Sequence, residues 1–250
     1  MMDAVILAGG KGLPVGLQEK FPDTSNKAHI RINDRMLVDY VVQAAMDCTQ
    51  VDKVFVVGDT AYLNAHIENK QVVVLQDTGD IYANFMLAGT KSIKDTVLVL
   101  TADIPLITGE ILDDFINNCY GREDVYYPII SKNVVLNYDK LANRTYANLV
   151  EGSFTGGNIF LVNTNSVKDA SENIRGIFAK RKKVLELLKI LGISFVIRYG
   201  MGRLKLQEVE THVGKILGCK VRAVTTNHVE IGIDVDKLED FDLVMRNLKI

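Results

Sequence analysis

The sequence is poor in residues that build disulfide-rich or metal-binding domains, and its charges nearly balance. Three cysteines, Cys48, Cys119 and Cys219, lie far apart in the chain, and the four histidines share no metal-binding spacing. Because an odd number of scattered cysteines forms neither a disulfide framework nor a zinc site, we expect reduced thiols in a cytoplasmic protein. The net charge of −2 provides no broad basic surface, which argues against nucleic acid as a partner.

Long apolar runs and flexible linkers are also missing. No stretch approaches the ~18 apolar residues that a membrane-spanning helix needs, so we expect no membrane partner. The apolar run at 4–8 is short and has no basic flank, so we expect no signal peptide. The chain has only four prolines and no repeat or low-complexity tract, and its 250 residues suit one domain.

The sequence instead alternates apolar runs with amphipathic segments. Runs such as 97–100 (VLVL) are continuously apolar, which is typical of parallel strands buried on both faces. Amphipathic segments between such strands predict βαβ units. The expected fold class is therefore α/β, a three-layer Rossmann-like sandwich with a mostly parallel sheet. The expected strands are 4–8, 53–57, 71–75, 96–100, 125–131, 147–150, 158–162 and 220–225, and the expected helices are 36–45, 61–67, 81–91, 109–118, 167–176, 177–191, 205–217 and 236–248.

A glycine-rich loop follows the first apolar run. It contains Gly9, Gly10 and Gly12 around Lys11, and Lys27 lies further along the chain. Glycines let backbone N–H groups approach a ligand closely, and successive N–H groups in such a turn form a concave site for anions. The two lysines add positive charge where a polyphosphate would lie. The loop therefore predicts a triphosphate-binding site, and a tight turn without a ligand explains fewer of these residues.

Two other phosphate-binding loops fit less well. A dinucleotide fingerprint needs a third glycine where Val15 stands and an acidic residue about 20 positions further on. Asp59, which follows the second expected strand, lies far beyond that spacing. A Walker A loop needs Ser or Thr directly after the lysine, where this chain has Gly12. An NAD-dependent oxidoreductase is therefore a minor alternative.

Several segments together resemble one family. Segment 7–12 (LAGGKG), followed by 26–28 (NKA) and 36–40 (MLVDY), resembles the signature of nucleotidyltransferases of the nucleotide-diphospho-sugar transferase fold. That group includes MobA-like guanylyl- and cytidylyltransferases and sugar-1-phosphate nucleotidyltransferases. The resemblance is strongest in 4–40, 96–106 and 229–241. Leu13 and Pro14 stand where the family's loop usually carries an arginine, and Asn26 replaces its usual proline.

Two aspartates are candidates for a magnesium site. Asp103 lies in 101–106 (TADIPL), directly after a buried strand, where a carboxylate faces the ligand crevice. Segment 230–241 (EIGIDVDKLEDF) resembles the family's C-terminal motif, and alternation of its apolar residues turns Asp234 away from them. The resemblance implies that Asp103 and Asp234 hold Mg²⁺, which prefers carboxylate and phosphate oxygens; helix capping is the alternative for Asp103. We assign capping to Asp236, with Glu239 completing a capping box.

Weaker signals concern the base and the acceptor. Gln76 and Gly79 follow the third expected strand, where family members contact the base, although a helix-entry turn explains them equally well. Segment 155–158 resembles the acceptor-side loop of sugar-nucleotide enzymes, although its two glycines equally suit a β-bulge. The basic run 180–183 offers a cation for the acceptor phosphate, although such a run is usually a solvated face. The expected acceptor-binding residues are thus Thr155, Gly156, Gly157, Asn158 and Lys183.

The resemblance implies a Mg²⁺-dependent nucleotidyltransferase that releases pyrophosphate. Its substrates would be a nucleoside triphosphate, GTP or CTP in MobA-like members, and a small phosphorylated acceptor such as a pterin of molybdenum cofactor biosynthesis. In one domain, 1–250, residues 1–110 would form the nucleotide-binding half and 111–250 the acceptor half. A sugar- or polyol-phosphate nucleotidyltransferase and an NTP sensor without turnover are the alternatives, and the sequence does not indicate an oligomeric state. The implied catalytic residues are Lys11 and Lys27, and the implied nucleotide-binding residues are Leu7, Ala8, Gly9, Gly10, Lys11, Gly12, Lys27, Gln76, Gly79 and Asp103.

Overall fold

The apolar runs of the sequence meet in one mixed sheet. The structure is a computed structural model and describes residues 1–67, 69, 71–92, 94–140, 142, 144–169 and 192–248. Its strands are β1 (Met2–Leu7), β2 (Arg31–Ile32), β3 (Arg35–Met36), β4 (Val51–Gly58), β5 (Val72–Gln76), β6 (Thr96–Thr101), β7 (Val125–Ser131), β8 (Ala147–Leu149), β9 (Gly152–Gly156), β10 (Ile159–Asn163) and β11 (Val221–Thr226). Within the described residues, nine strands pair in the order β5-β4-β1-β6-β10-β7-β9-β8, with β11 beside β7, and β2 and β3 form a separate hairpin.

Helices fill the connections between these strands. Two short 3₁₀ helices, Lys27–His29 and Val229–Gly232, lie near the chain segments that the sequence singled out. The α-helices are α1 (Val15–Lys20), α2 (Leu37–Asp47), α3 (Thr60–Asn64), α4 (Ile81–Lys91), α5 (Gly109–Asn118), α6 (Lys132–Tyr138), α7 (Thr164–Asp169), α8 (Ile193–Gly200), α9 (Leu206–Leu217) and α10 (Leu238–Asn247).

Seven of the nine strands in the large sheet run in the same direction, and β9 and β10 run the opposite way. β1 is parallel to β4 on one side and to β6 on the other, β5 is parallel to β4, and β11 is parallel to β7. β10 is antiparallel to both β6 and β7, and β9 is antiparallel to both β7 and β8. The predicted mostly parallel sheet is confirmed.

Alternate residues of the central strands face two different helical layers, because successive side chains of a strand point to opposite faces. On one face, β1, β4 and β6 pack against α2 and α5 through Ala4, Ile6, Val54, Val56, Leu98 and Leu100. On the other face, the same strands pack against α4 and α7 through Val5, Phe55, Val57, Val97 and Val99. The predicted three-layer arrangement is confirmed.

A further apolar cluster joins the C-terminal segment to the rest of the molecule. It contains Leu17 of α1, Val135 of α6 and Phe241 of α10. Ile233 and Val235, which precede α10, are buried in the same cluster. The cluster therefore fixes the backbone on both sides of residue 234.

The predicted elements are confirmed with small shifts at their ends. The helices at 81–91 and 109–118 and the strand at 125–131 have the predicted bounds. The helix predicted at 61–67 ends early, at Asn64, the one predicted from 167 begins at Thr164, and the last begins at Leu238. The elements that the sequence did not predict are mostly short, so they carry little periodicity. The predicted helix 177–191 and most of the one at 167–176 lie outside the described residues.

All three cysteines are free, and Cys48 is buried. Burial raises the pKa of the Cys48 thiol to about 11, which keeps it protonated at neutral pH. In the part of the chain that the structure describes, no helix combines the length and apolarity needed to cross a bilayer.

Gly109 provides a test of the packing between α2 and α5. A Cβ at Gly109 would lie 2.6 Å from the carbonyl carbon of Asp47 and 2.8 Å from the amide nitrogen of Cys48. Because these are backbone atoms, they cannot turn aside as a side-chain end does. We expect Gly109→Ala to lower the free energy of unfolding by about 1–3 kcal/mol, measured by urea denaturation.

Gly89 in α4 is the matched control. Among the described residues, its Cβ would meet only Thr164 Cγ2, at 3.8 Å, which is ordinary contact. Because alanine is more stable than glycine in the interior of a helix, we expect Gly89→Ala to raise the free energy of unfolding by about 0.5–1 kcal/mol. Equal stability of Gly109→Ala and the unchanged protein would contradict the close packing.

Candidate active site

A cleft opens at the carboxyl ends of β1 and β6. The loop after β1 forms one wall, the residues after β6 form another, and the 3₁₀ helix Lys27–His29 lies beside them. Ligands of open α/β sheets bind at this edge. The lining residues are Leu7, Ala8, Gly9, Gly10, Asn26, Lys27, Ala28, Asp77, Gly79, Ile81, Asn84, Thr101, Ala102 and Asp103.

Two glycines determine the path of the loop after β1. Gly10 and Gly12 have φ angles of +111° and +83°, in the left-handed region that favours glycine. The amide of Gly12 donates a hydrogen bond to the carbonyl of Ser25 at 2.7 Å. The side chain of Lys11, between the two glycines, is exposed. The loop is therefore tied to the segment that precedes Lys27 and presents Lys11 to solvent.

Asn26 holds the loop from the other side. Its buried side-chain amide donates to the carbonyl of Ala8 at 2.9 Å and to that of Gly10 at 3.2 Å. Its side-chain oxygen accepts a hydrogen bond from the amide of Ala28 at 2.8 Å, which caps the 3₁₀ helix. One side chain thus sets the position of Lys27 relative to the glycine loop.

Asp77, directly after β5, lies against the glycine loop. Its carboxylate accepts hydrogen bonds from the amides of Gly10 (3.2 Å) and Gly79 (2.9 Å) and from the side chain of Asn84 (2.6 Å). Burial acts to raise the pKa of Asp77, but these hydrogen bonds outweigh it and hold the pKa below its ordinary value. A Cβ at Gly9 would lie 2.7 Å from this carboxyl group, so the contact depends on a glycine there.

Three aspartates converge at the end of this cleft. Asp103 follows β6, Asp234 and Asp236 precede α10, and one carboxylate oxygen from each lies within 4.8 Å of the others. The amide of Val235 donates to the carbonyl of Asp103 at 3.0 Å, which joins the two segments. Val235 and Ile233 are buried, so Asp234 between them points away from the apolar cluster, as the alternation predicted.

The cluster has the donor set of a hard divalent cation. Its donors are all carboxylate oxygens, which Mg²⁺ prefers. Oδ1 of Asp103 is buried, and no group in the described ranges hydrogen-bonds to it. A buried polar oxygen without a partner is unfavourable, and a metal ion would supply the partner. The residues therefore fit a Mg²⁺ ion.

Among the described residues, two cations contact the three carboxylates. Lys27 Nζ donates to Asp103 Oδ2 at 2.5 Å and to Asp236, and Arg144 Nη2 donates to Asp234 Oδ1 at 2.8 Å. Burial lowers the pKa of Lys27, but the attraction of its two carboxylates outweighs it and raises the pKa. Burial raises the pKa of Asp234 above its ordinary value, although Arg144 opposes this. At Asp236 burial also acts to raise the pKa, but the hydrogen bond from Lys27 outweighs it and lowers the pKa.

The structure brings most of the predicted nucleotide-binding residues together. Leu7, Ala8, Gly9, Gly10, Lys27, Gly79 and Asp103 line the cleft. Lys11 and Gly12 continue the same loop. Gln76 is not among the residues that line the cleft. Its side-chain oxygen instead accepts a hydrogen bond from the hydroxyl of Thr60 at 2.6 Å. The individual roles of these residues stay predictions.

The capping box predicted for Asp236 and Glu239 is wrong. The cap residue of α10 is Lys237, and Asp240 accepts the hydrogen bonds from the amides of Asp236 and Lys237. The side chain of Asp236 instead binds Lys27. Local spacing could not show this, because Lys27 belongs to the other end of the chain.

The two glycines of the predicted acceptor loop lie in close packing. A Cβ at Gly156 would lie 1.5 Å from Tyr127 Oη, and a Cβ at Gly157 would lie 2.4 Å from Ile231 Cγ2. Both positions therefore need a glycine for packing between β7, the end of β9 and the second 3₁₀ helix, whatever else they do.

The other predicted acceptor residues are placed as follows. Thr155 is buried and lines a small, mostly apolar cavity together with Arg144. The amide of Asn158 donates to the carbonyl of Ile231 at 2.9 Å. Lys183 lies outside the described residues. Acceptor binding by this set stays a prediction.

Four residues of the site were missed by the sequence analysis: Asn26 as a binding partner of the loop, and Asp77, Asn84 and Arg144. Asn26 lies in segment 26–28 and Asp77 lies between Gln76 and Gly79, so the sequence analysis found the right segments but not these residues. Arg144 lies in a polar segment between α6 and β8 that shows no motif.

Comparison with known proteins agrees with this geometry. Residues 4–164 match the family model of the MobA-like NTP transferase domain. The chain belongs to this family. The match includes the glycine loop, Lys27 and Asp103, and it confirms the family resemblance expected from the sequence.

This MobA-like chain is similar to a solved structure and to two curated proteins. A structure described as a hypothetical transferase from Thermus thermophilus is 32% identical, with a TM-score of 0.85, and the alignment covers 96% of this chain and 99% of that one. The bifunctional protein GlmU of Thermodesulfovibrio yellowstonii is 30% identical over 118 residues, which is 46% of this chain and 25% of that protein. The adenosylcobinamide-phosphate guanylyltransferase of Methanocaldococcus jannaschii is 27% identical over 126 residues, which is 48% of this chain and 60% of that protein. The chain therefore spans less than two thirds of either curated relative.

Asn26 provides a test of how the MobA-like domain holds its glycine loop. Asn26→Ala leaves the carbonyls of Ala8 and Gly10 and the amide of Ala28 without their partner. Asn26→Asp keeps the shape but places a carboxylate against the two carbonyl oxygens. We expect each variant to lower the free energy of unfolding by about 2–4 kcal/mol, measured by guanidinium denaturation.

Asn165→Ala is the control for this measurement. Asn165 is exposed and donates to Asp95 Oδ1 at 3.0 Å, so its loss should change stability by less than about 0.5 kcal/mol. If Asn26→Asp were as stable as the unchanged protein, Asn26 would not be the residue that holds the loop.

Proposed function

We propose that this protein is a Mg²⁺-dependent nucleotidyltransferase. It transfers a nucleoside monophosphate from a nucleoside triphosphate to a small phosphorylated acceptor and releases pyrophosphate. The observation that carries the proposal is the meeting of a glycine-loop cleft with three carboxylates and Lys27 at one edge of the sheet.

The glycine loop would bind the β- and γ-phosphates. Its backbone amides and the exposed Lys11 provide hydrogen-bond donors and positive charge for them. The amide of Gly10 would exchange the carboxylate of Asp77 for a phosphate oxygen, since both are anionic acceptors. Gly79 also lines the cleft and has a φ of +80°, so its backbone is open to a base edge.

The reaction brings two anions together. Two unit charges at 4 Å repel by about 4 kcal/mol at an effective dielectric constant of 20. The carboxylates of Asp103, Asp234 and Asp236 would hold Mg²⁺, which when bound neutralises phosphate charge and polarises the phosphoryl group. The acceptor oxygen is already an anion, so the site needs no general base, and catalysis rests on positioning and charge.

Lys27 would neutralise charge on the reacting phosphoryl group. It lies between the glycine loop and the carboxylates, and Asn26 fixes the backbone that carries it. Its attraction to Asp103 and Asp236 keeps it protonated over the physiological pH range. A permanently charged donor held in place costs no reorganisation when charge develops.

The acceptor is proposed to be a phosphorylated cofactor precursor, as in MobA-like enzymes. One relative is named for guanylyl transfer to adenosylcobinamide phosphate, which supports GTP as the donor and a cofactor-type acceptor. A pterin of molybdenum cofactor biosynthesis is a second compound of that class.

Ligand-linked stabilisation tests the donor. We expect one of the four NTPs with Mg²⁺ to raise the melting temperature, since a ligand at 100 times its Kd adds about 2.7 kcal/mol. NAD should cause no shift. Pyrophosphate release should then follow when phosphorylated cofactor precursors are supplied. An NTP that binds without pyrophosphate release for any acceptor would favour a sensor, and a shift with NAD alone would overturn the proposal.

Lys27→Ala tests the chemistry. Because Lys27 acts on the reacting phosphoryl group, we expect kcat for pyrophosphate release to fall by about 10²–10³, while KM for the NTP changes much less. Lys94→Ala is the matched control, because Lys94 pairs with Asp52 at 3.1 Å at the start of β4, at the opposite edge of the sheet. Unchanged turnover in Lys27→Ala would remove Lys27 from the mechanism.

A further inference from the structure

Arg144 reaches the carboxylate cluster from a different part of the chain than Lys27. Lys27 follows the glycine loop, whereas Arg144 lies between α6 and β8. Its guanidinium is 2.8 Å from Asp234 Oδ1, and the side chains of Arg144 and Asp234 are only 18% and 17% exposed. The pair is thus a mostly buried ion pair inside the candidate site, and neither residue is among those that line the nucleotide cleft.

Arg144 and a divalent ion at the cluster would compete for the carboxylate of Asp234. Asp234 is one of the three residues whose oxygens converge, and it is the one that Arg144 holds. A doubly charged ion at the cluster would repel the guanidinium and compete for the carboxylate charge. A bound metal would therefore weaken the ion pair.

Other polar groups lie around Arg144 besides Asp234, and they include the carboxylates of Asp236 and Asp240 as well as two phenols. The phenols of Tyr127 and Tyr146 both interact electrostatically with Arg144, and the Tyr146 hydroxyl is buried with no partner in the described ranges. Lys132 Nζ lies 5.4 Å from the centre of the Tyr146 ring. Arginine binds phosphate through a planar pair of donors, which makes a phosphate group the matching ligand.

We propose that Arg144 binds the phosphate of the acceptor, and that its ion pair with Asp234 makes this binding depend on the divalent ion. The inference rests on the proposed function and adds an order to it: the metal site is filled, Arg144 leaves Asp234, and the guanidinium then takes the acceptor phosphate. Acceptor binding before the metal is disfavoured because the guanidinium is engaged.

Metal titration tests the competition without turnover. Mn²⁺ binding is followed by electron paramagnetic resonance in the unchanged protein and in Arg144→Gln, Arg144→Lys and Arg222→Gln. Because Arg144→Gln removes a competing charge, we expect it to bind Mn²⁺ roughly threefold to tenfold more tightly. Arg144→Lys keeps the charge and should stay close to the unchanged protein. Arg222 pairs with Glu123 at 2.7 Å near the amino ends of β7 and β11, so its variant should not differ.

The direction in which Arg144→Gln changes the Mn²⁺ affinity distinguishes the two possible roles of Arg144. If Arg144 only oriented Asp234 as a metal ligand, Arg144→Gln would weaken Mn²⁺ binding, as loss of such supporting partners does. Weaker or unchanged Mn²⁺ binding would therefore overturn the proposal.

Inorganic phosphate tests the second half of the inference. A non-hydrolysable NTP analogue first fills the nucleotide cleft, and thermal stability is then measured with phosphate, with and without Mn²⁺. The unchanged protein and Arg222→Gln should be stabilised by phosphate only when Mn²⁺ is present. Arg144→Gln should lose this shift, and Arg144→Lys should show a smaller one. An equal shift without Mn²⁺, or a full shift in Arg144→Gln, would overturn the assignment.

These titrations separate failure of the inference from failure of the proposed function. Neither requires pyrophosphate release. If turnover is found but the Arg144 variants behave like the control, the inference alone is wrong. If the titrations succeed and no acceptor supports turnover, the anion site stands and the proposed reaction fails.

Discussion

Mutual repulsion among Asp103, Asp234 and Asp236 is the constraint on which the site depends. Three carboxylates with oxygens within 4.8 Å of one another do not gather unless the fold forces them together and cations compensate them. Lys27 compensates two of them and Arg144 the third. The geometry of the cluster therefore favours positive charge, and a divalent ion bound there would neutralise the three carboxylates more fully than Lys27 and Arg144 do.

Packing remote from the cluster supplies the force that brings it together. Asp103 is placed by β6, a buried strand at the centre of the sheet, and its carbonyl accepts the amide of Val235. Ile233 and Val235 are buried in an apolar cluster with α1, α6 and α10, so Asp234 has to face the opposite way. Burial of two apolar side chains contributes about 1.5–3 kcal/mol each, which is enough to hold a residue where its charge is unfavourable.

Sequence patterns predicted the parts of the molecule that depend on local chemistry. The apolar strands, the glycine loop and the carboxylate at the end of β6 each leave a mark within a few residues, because burial, positive φ and strand direction are local constraints. Asp236 shows the limit: its spacing to α10 suggested a cap, whereas its side chain binds Lys27, more than two hundred residues earlier. Arg144 shows this limit more clearly. It is a single arginine in a polar loop without a sequence motif, so its partner is known only from the fold.

The site has a second feature, which also concerns the compensation of charge. The chain supplies internal partners for the groups that would bind the substrates: Asp77 accepts the amide of Gly10, Lys27 pairs with Asp103, and Arg144 pairs with Asp234. Binding therefore exchanges one set of charged hydrogen bonds for another, and the affinity is a difference between two large terms. Such a site favours ligands that replace several internal partners at once, since a lone phosphate at the glycine loop would break the contact with Asp77 and gain little. A triphosphate with a divalent ion would engage the loop and the carboxylates together, so the proposed ligand accounts for both halves of the cleft.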